Sequence, residues 1–175
     1  MSKTSREQIN KQEFMVMKEL IINGKASVNG LANKFKFSRQ KIWRMLKSLE
    51  KRKVIVGYHA VIDRKQLGLQ KYTFLIKRSI GPTEKNNLDA LLGSAIQKKA
   101  DAMDIIIDTF SYVNGRYDFS FSIYAKDLIQ AKKFSFALIN IFNVIIEDIT
   151  VLEELVPIIE DGILHPDRKS LTEFF

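Results

Sequence analysis

Arg39, Gln40, Lys41, Arg44 and Lys47 fall within nine residues, at the three- and four-residue spacing that gathers side chains on one side of a helix. Guanidinium and ammonium groups in that pattern suit a polyanion: they pair with phosphates, and Arg, Lys and Gln also match base edges in a major groove. Ser38 stands immediately before them, where a serine caps a helix. The free N–H groups and positive dipole end of such a helix start favour phosphate as well. Charge is concentrated in the same region. Residues 1–60 hold 14 Lys and Arg against 4 acidic residues, none of them Asp, whereas residues 61–175 hold 14 against 16. The split predicts a polyanion-binding module followed by a near-neutral module with another task.

The elements that would position these side chains are legible nearby. Ile9, Val16, Met17, Leu20 and Ile21 recur at helical spacing, and Asn23-Gly24 ends that helix. A second helix starts at the Ser27 cap, with Val28, Leu31, Ala32 and Phe35 on one face. A third starts at Ser38, and its Ile42, Met45, Leu46 and Leu49 form the inward stripe. Only Lys36 and Phe37 separate the second helix from the Ser38 cap, so the two helices must cross steeply, as in a helix-turn-helix. The first turn of the third helix would then reach base edges, with Arg44 and Lys47 nearer the phosphates. A solvated surface is the commoner meaning of a basic helix face; the short connection, the cap and the lack of Asp favour double-stranded DNA. The β-branched run Val54–Ile62 predicts a strand, hence a winged version of the motif. Trp43 has two readings, packing beneath that strand or touching the sugar-phosphate backbone, and packing is the favoured one.

Other chemistries find little support. The chain has no cysteine, which excludes thiolate metal sites and thiol nucleophiles. His59 and His165 share no metal-ligand spacing, and no Gly-rich phosphate loop or nucleophile motif is present. No cofactor, metal or catalytic residue is expected. Residues 1–10 lack the apolar core of a signal peptide, and no apolar run nears the ~20 residues that cross a bilayer. A soluble cytoplasmic protein with no membrane partner is expected.

From Tyr72 onward the pattern reads β-α-β-β-α-β, a ferredoxin-like order. Tyr72–Arg78 is strand, and Pro82 and Thr83 open a helix carrying Leu88, Leu91, Leu92, Ala95 and Ile96. Asp104–Val113 and Arg116–Ala125 are strands joined at Asn114-Gly115, a strong hairpin signal. Asp127 caps a second helix, and Val144–Val156 is the last strand. Along the third strand Tyr117, Phe119, Phe121 and Ile123 share one face; Asp118, Ser120, Ser122 and Tyr124 share the other. The polar face is expected to stay open for a second sheet or a small ligand, and the chain to be at least a dimer.

Taken together, residues 9–156 resemble the Lrp/AsnC family of bacterial and archaeal transcription regulators. The resemblance rests on Ile9-Asn10, Glu13, Val16-Met17 and Leu20, then Leu31-Ala32, Ser38, Ile42 and Leu49-Glu50. It continues through Val54-Ile55, Gly57-Tyr58, Leu67-Gly68 and Gly115-Arg116-Tyr117-Asp118. The last group is similar to the Gly-x-Tyr-Asp hairpin of the family's amino-acid-sensing (RAM) domain. Lys53 stands where the family usually has Gly, Asn114 where Thr is common, and Asn143 in place of a Pro-Gly. The resemblance implies an α+β chain: a winged helix-turn-helix over residues 1–60, a linker over 61–71, a ferredoxin-like sensing and oligomerisation domain over 72–156, and an extension over 157–175. It implies a homodimer that can assemble into octamers, and an amino-acid effector held near Asn114, Gly115, Tyr117 and Asp118. Ser38, Arg39, Gln40, Lys41, Arg44 and Lys47 are the expected DNA contacts. Two further readings stay open: a DNA-architectural protein without a defined operator, and an enzyme similar to the siroheme decarboxylases, which share this layout. The extension has apolar residues, among them Ile158, Ile163 and Phe174, suited to docking on the body or on a partner subunit.

Overall fold

A computed structural model describes residues 3–79, 81, 94–142 and 145–175, with side chains from residue 11 onward. The chain divides into two compact units, one formed by Met1–Ile62 with Val156–Phe175 and the other by Asp63–Leu155.

Three helices build the first unit: α1 (Lys3–Ile22), α2 (Val28–Phe35) and α3 (Arg39–Lys51). Val16, Leu31, Ala32, Ile42, Met45 and Leu49 form its buried core. Burying each large aliphatic side chain there contributes about 1.5–3 kcal/mol. Capping begins α2 and α3 as expected: Ser27 Oγ accepts from Gly30 N at 3.0 Å, and Ser38 Oγ from Lys41 N at 3.2 Å. Lys36 adopts a left-handed conformation (φ 55°) that ends α2 and turns the chain into α3. Ion pairs Lys34–Glu19 and Arg52–Glu13, the latter at 2.6 Å, tie α2 and the end of α3 back to α1.

Two expectations fail in this unit. Ile21, grouped with Val16, Met17 and Leu20 at helical spacing, is 74% exposed, because Leu20, one turn beyond Val16, is the last-turn residue that faces the core and Ile21 lies on the flank of the helix. Val54–Ile62 forms no strand. Val54 N and Ile55 N donate back to Leu49 O at 2.9 and 3.3 Å, closing off α3, and no described strand pairs with Val56–Ile62. A β-branched run favours a sheet only when a neighbouring strand supplies cross-strand contacts.

The second unit holds β1 (Gln70–Arg78), α4 (Ala95–Ala102), β2 (Ile106–Tyr112), β3 (Phe119–Ala125), α5 (Leu128–Ile141) and β4 (Ile146–Glu153). Its antiparallel sheet has the order β2-β3-β1-β4. This is the ferredoxin-like arrangement predicted from the sequence. Most of the helix predicted from Pro82, Thr83, Leu88, Leu91 and Leu92 lies outside the described residues, as do Asn143 and Val144; α4 buries Ile96 and Ala100. Asp127 caps α5, its Oδ1 accepting from Gln130 N at 2.7 Å. Phe74, Phe121 and Phe134 are fully buried where β1, β3 and α5 meet. Phe119, Phe121 and Ile123 belong to this core, as the alternation predicts.

The opposite sheet face is polar but is not left open as expected: Ser122 and Tyr124 are buried within the chain itself. Thr73 Oγ1 and Ser122 Oγ lie 3.0 Å apart across β1 and β3, and Lys71 pairs with Asp108 at 3.0 Å. Asp108 sits at an irregularity where the β2–β3 register shifts. Tyr124 is covered on this face by the Arg64 guanidinium, 4.3 Å from its ring centre. Tyr117 departs from the expected alternation. Its hydroxyl is 3.5 Å from Thr150 Oγ1, which pairs across β4 with Leu75 on the polar side. Residue 117 precedes the strand, so the two-residue period does not constrain it.

Val156–Phe175 folds as part of the first unit. Within it β5 (Ile159–Glu160) and β6 (Ile163–Leu164) form a hairpin. Asp161 and Gly162 join them with φ 48° and 80°, the left-handed pair that matches the twist of a two-residue hairpin. A 3-10 helix, Pro166–Phe174, follows His165, whose buried ring accepts from Asp167 N at 3.2 Å. His59 Nε2 lies 3.4 Å from Asp161 Oδ2.

Candidate nucleic-acid interface and effector loop

The exposed side of α3 is the first candidate site. Ile42, Met45 and Leu49 fix the rotation of the helix by entering the core, which leaves Arg39, Gln40, Lys41, Arg44 and Lys47 outward and exposed. Ser38 is spent on the cap, so its hydroxyl holds the helix start while neighbouring backbone N–H groups remain for an anion. Gln40 Oε1 accepts from Arg44 at 3.1 Å, and Lys47 Nζ donates to Glu50 Oε2 at 3.0 Å. Lys41 Nζ stands 4.0 Å above the Phe37 ring. These local partners pre-order long, exposed side chains. Hydrogen bonds from Lys47 and Tyr58 hold the Glu50 carboxyl below its ordinary value, against the opposing effect of burial.

Trp43 corrects the expectation of packing beneath a strand: it is 54% exposed and absent from the unit's core. With Val54–Ile62 unpaired there is no strand for it to pack beneath. Helical spacing could have placed it, since Trp43 follows Arg39 by one turn and lies off the stripe of Ile42, Met45 and Leu49.

The second candidate is the β2–β3 connection. Asn114-Gly115 does not make a two-residue turn; Val113 N donates to Asp118 O at 2.7 Å and closes a four-residue loop of Asn114, Gly115, Arg116 and Tyr117. The wider loop follows from Asp118, which is anchored elsewhere. Its backbone N–H donates to Ile76 O at 2.9 Å, its Oδ2 accepts from Arg78 N at 2.9 Å, and its Oδ1 lies 3.4 Å from Arg78 Nε. The carboxylate thus binds the hairpin to the end of β1. Asn114 and Gly115 are exposed, while Tyr117 and Asp118 are half-buried. Sequence reading missed Arg78, which is distant in the chain and carries no local signal. Among the described residues no group of His, Asp or Glu is placed to hold a metal ion, and no helix is long and apolar enough to cross a membrane.

No family model and no curated protein matches the chain. Solved structures do. The regulator NMB0573 of Neisseria meningitidis, solved with L-methionine, superposes with a TM-score of 0.68 at 15% identity, over 86% of this chain and 92% of its own. The leucine response regulatory protein LrpA of Mycobacterium tuberculosis gives 0.64 at 14% identity, covering 86% and 94%. LrpC of B. subtilis gives 0.59 at 20% identity, covering 83% and 95%. The chain has the fold of these proteins. Helix-turn-helix and ferredoxin-like units therefore occur in the same order in this chain and in regulators of the kind its sequence resembles.

Proposed function

We propose that this protein is a sequence-specific, double-stranded DNA-binding transcription regulator of the Lrp/AsnC type, acting as a homodimer and modulated by an amino acid. The observation that carries the reading is the exposed cationic side of α3, held at a capped helix start by the buried stripe beneath it. In a dimer, two such helices enter successive major grooves on one side of a duplex, about 34 Å apart or a multiple of it. Arg39 and Gln40 read base edges, and Arg44 and Lys47 neutralise phosphates.

Two features support self-association. Val56–Ile62 is exposed throughout, largely apolar, and makes no backbone hydrogen bond among the described residues. Such a segment gains both pairing and burial from a second copy. The rim of the polar sheet face, where Ser111 and Leu152 are exposed, offers a further surface, and assembly into octamers follows the resemblance. The effector reading assigns the loop of Asn114, Gly115 and Tyr117 to the ligand, with Asp118 placing that loop through Arg78. L-methionine in the NMB0573 structure supports an amino acid as the ligand class.

Selection of bound sequences from random duplex DNA, with and without amino acids, tests the proposal. A regulator enriches a defined, two-fold repeated motif; a DNA-architectural protein binds with little preference, and loss of all duplex binding refutes both. Lys47→Ala is expected to weaken binding to every sequence and lower the salt dependence by about one unit of slope.

A further inference from the structure

We infer that Trp43 is a base-reading residue whose indole packs on the C5-methyl group of a thymine in the major groove; this rests on the DNA-binding reading of α3. Trp43 is the single tryptophan of the chain. It is 54% exposed, contributes nothing to the core of its unit, and among the described residues no aromatic ring or cation stacks on it. Its place on α3 is specific. It follows Arg39 by four residues and Gln40 by three, and precedes Lys47 by four, so it sits among the proposed DNA contacts. An exposed indole is a large apolar area that stays in water until a partner covers it, which is why tryptophan concentrates at binding hot spots.

The chemistry of the groove names the partner. Base edges there offer hydrogen-bond donors and acceptors to Arg39 and Gln40, and one apolar feature, the thymine methyl group. Trp43 lies one turn into the helix, where side chains still reach the groove floor when the helix enters by its N-terminal end. A methyl group on a flat indole excludes water from both, whereas cytosine at the same step presents an amino group that the ring would leave without a partner.

The experiment uses the full chain and a labelled duplex taken from the selection above. Anisotropy of the label reports binding without using tryptophan, and Trp43 emission reports its own surroundings. Binding is expected to change that emission, and Trp43→Ala to weaken affinity roughly tenfold, with Trp43→Phe recovering part of the loss. Replacing thymines one at a time by deoxyuridine, which removes only the methyl group, should weaken the wild type at one position per half-site and leave Trp43→Ala indifferent there. A duplex bound with unchanged emission, and equally well by Trp43→Ala while Lys47→Ala binds weakly, overturns the inference and leaves the DNA-binding reading standing. If the anisotropy shows no duplex bound at all, that reading fails and the role of Trp43 with it.

Discussion

Asp118 is the residue for which sequence resemblance and geometry assign different work, and substitution separates them. Its Oδ2 accepts from a backbone N–H at 2.9 Å, a charge-assisted hydrogen bond worth about 1.5–3 kcal/mol when half-buried, the lower end applying at this exposure. The 3.4 Å approach to Arg78 Nε adds at most about 1 kcal/mol, because both side chains reach solvent. Asp118→Ala removes both and leaves Arg78 N without that acceptor, for a cost of about 2 kcal/mol. In a unit of this size that lowers its melting temperature by about 10 °C. Asp118→Asn keeps an oxygen for the backbone N–H and loses only charge, so about 1 kcal/mol or less is expected. Thermal unfolding of the full chain followed by circular dichroism measures both, and an amino-acid screen on each variant reads the effector response. If Asp118→Ala melts with the wild type, the anchoring role is refuted and the carboxylate is free for ligand. If Asp118→Asn is stable yet no longer responds to any amino acid that shifts the wild type, the carboxylate serves both tasks.

Other consequences are equally direct. Ser38→Ala removes the cap of α3 and should cost about 1 kcal/mol in unfolding free energy while weakening duplex binding, measured by urea titration and anisotropy. Lys53 adopts φ 54°, so Lys53→Gly is expected to stabilise the first unit by up to about 1 kcal/mol; a loss of stability in calorimetry would contradict this. Tyr72 is pushed up to about 12 from an ordinary value of 10.0, first by burial and then by the nearby Glu153 carboxylate. A raised folded-state value means that its contribution is complete below pH 10 and is lost as pH climbs towards 12, by about 2–3 kcal/mol. Tyr72→Phe should flatten that alkaline decline in a denaturation series.

What could be read from the sequence was local or periodic. Ser27, Ser38 and Asp127 cap their helices because a short oxygen-bearing side chain before an apolar repeat meets its partner within three residues. Phe119, Phe121 and Ile123 face the core because strand alternation admits no other arrangement once one of them is buried. The basic side of α3 followed from the stripe opposite it. Failures came where a distant partner decides. Val54–Ile62 has β propensity but no pairing strand, Trp43 lost its expected cover with that strand, and the Asp118–Arg78 contact crosses forty residues of chain. Lys53 is an intermediate case. Family resemblance marks the position as one where glycine is usual, and its positive φ supplies the reason.

Val156–Phe175 completes a unit whose other portion ends at Ile62. A ribosome therefore makes all of Asp63–Leu155 before it releases the hairpin that finishes what Met1–Ile62 began. The helices start first and the unit closes last, with His59 waiting for Asp161 across a hundred intervening residues. No single cut can excise that unit intact: a fragment stopping at Ile62 carries its helices without their C-terminal complement, and supplying that complement as a separate peptide is the way to restore it.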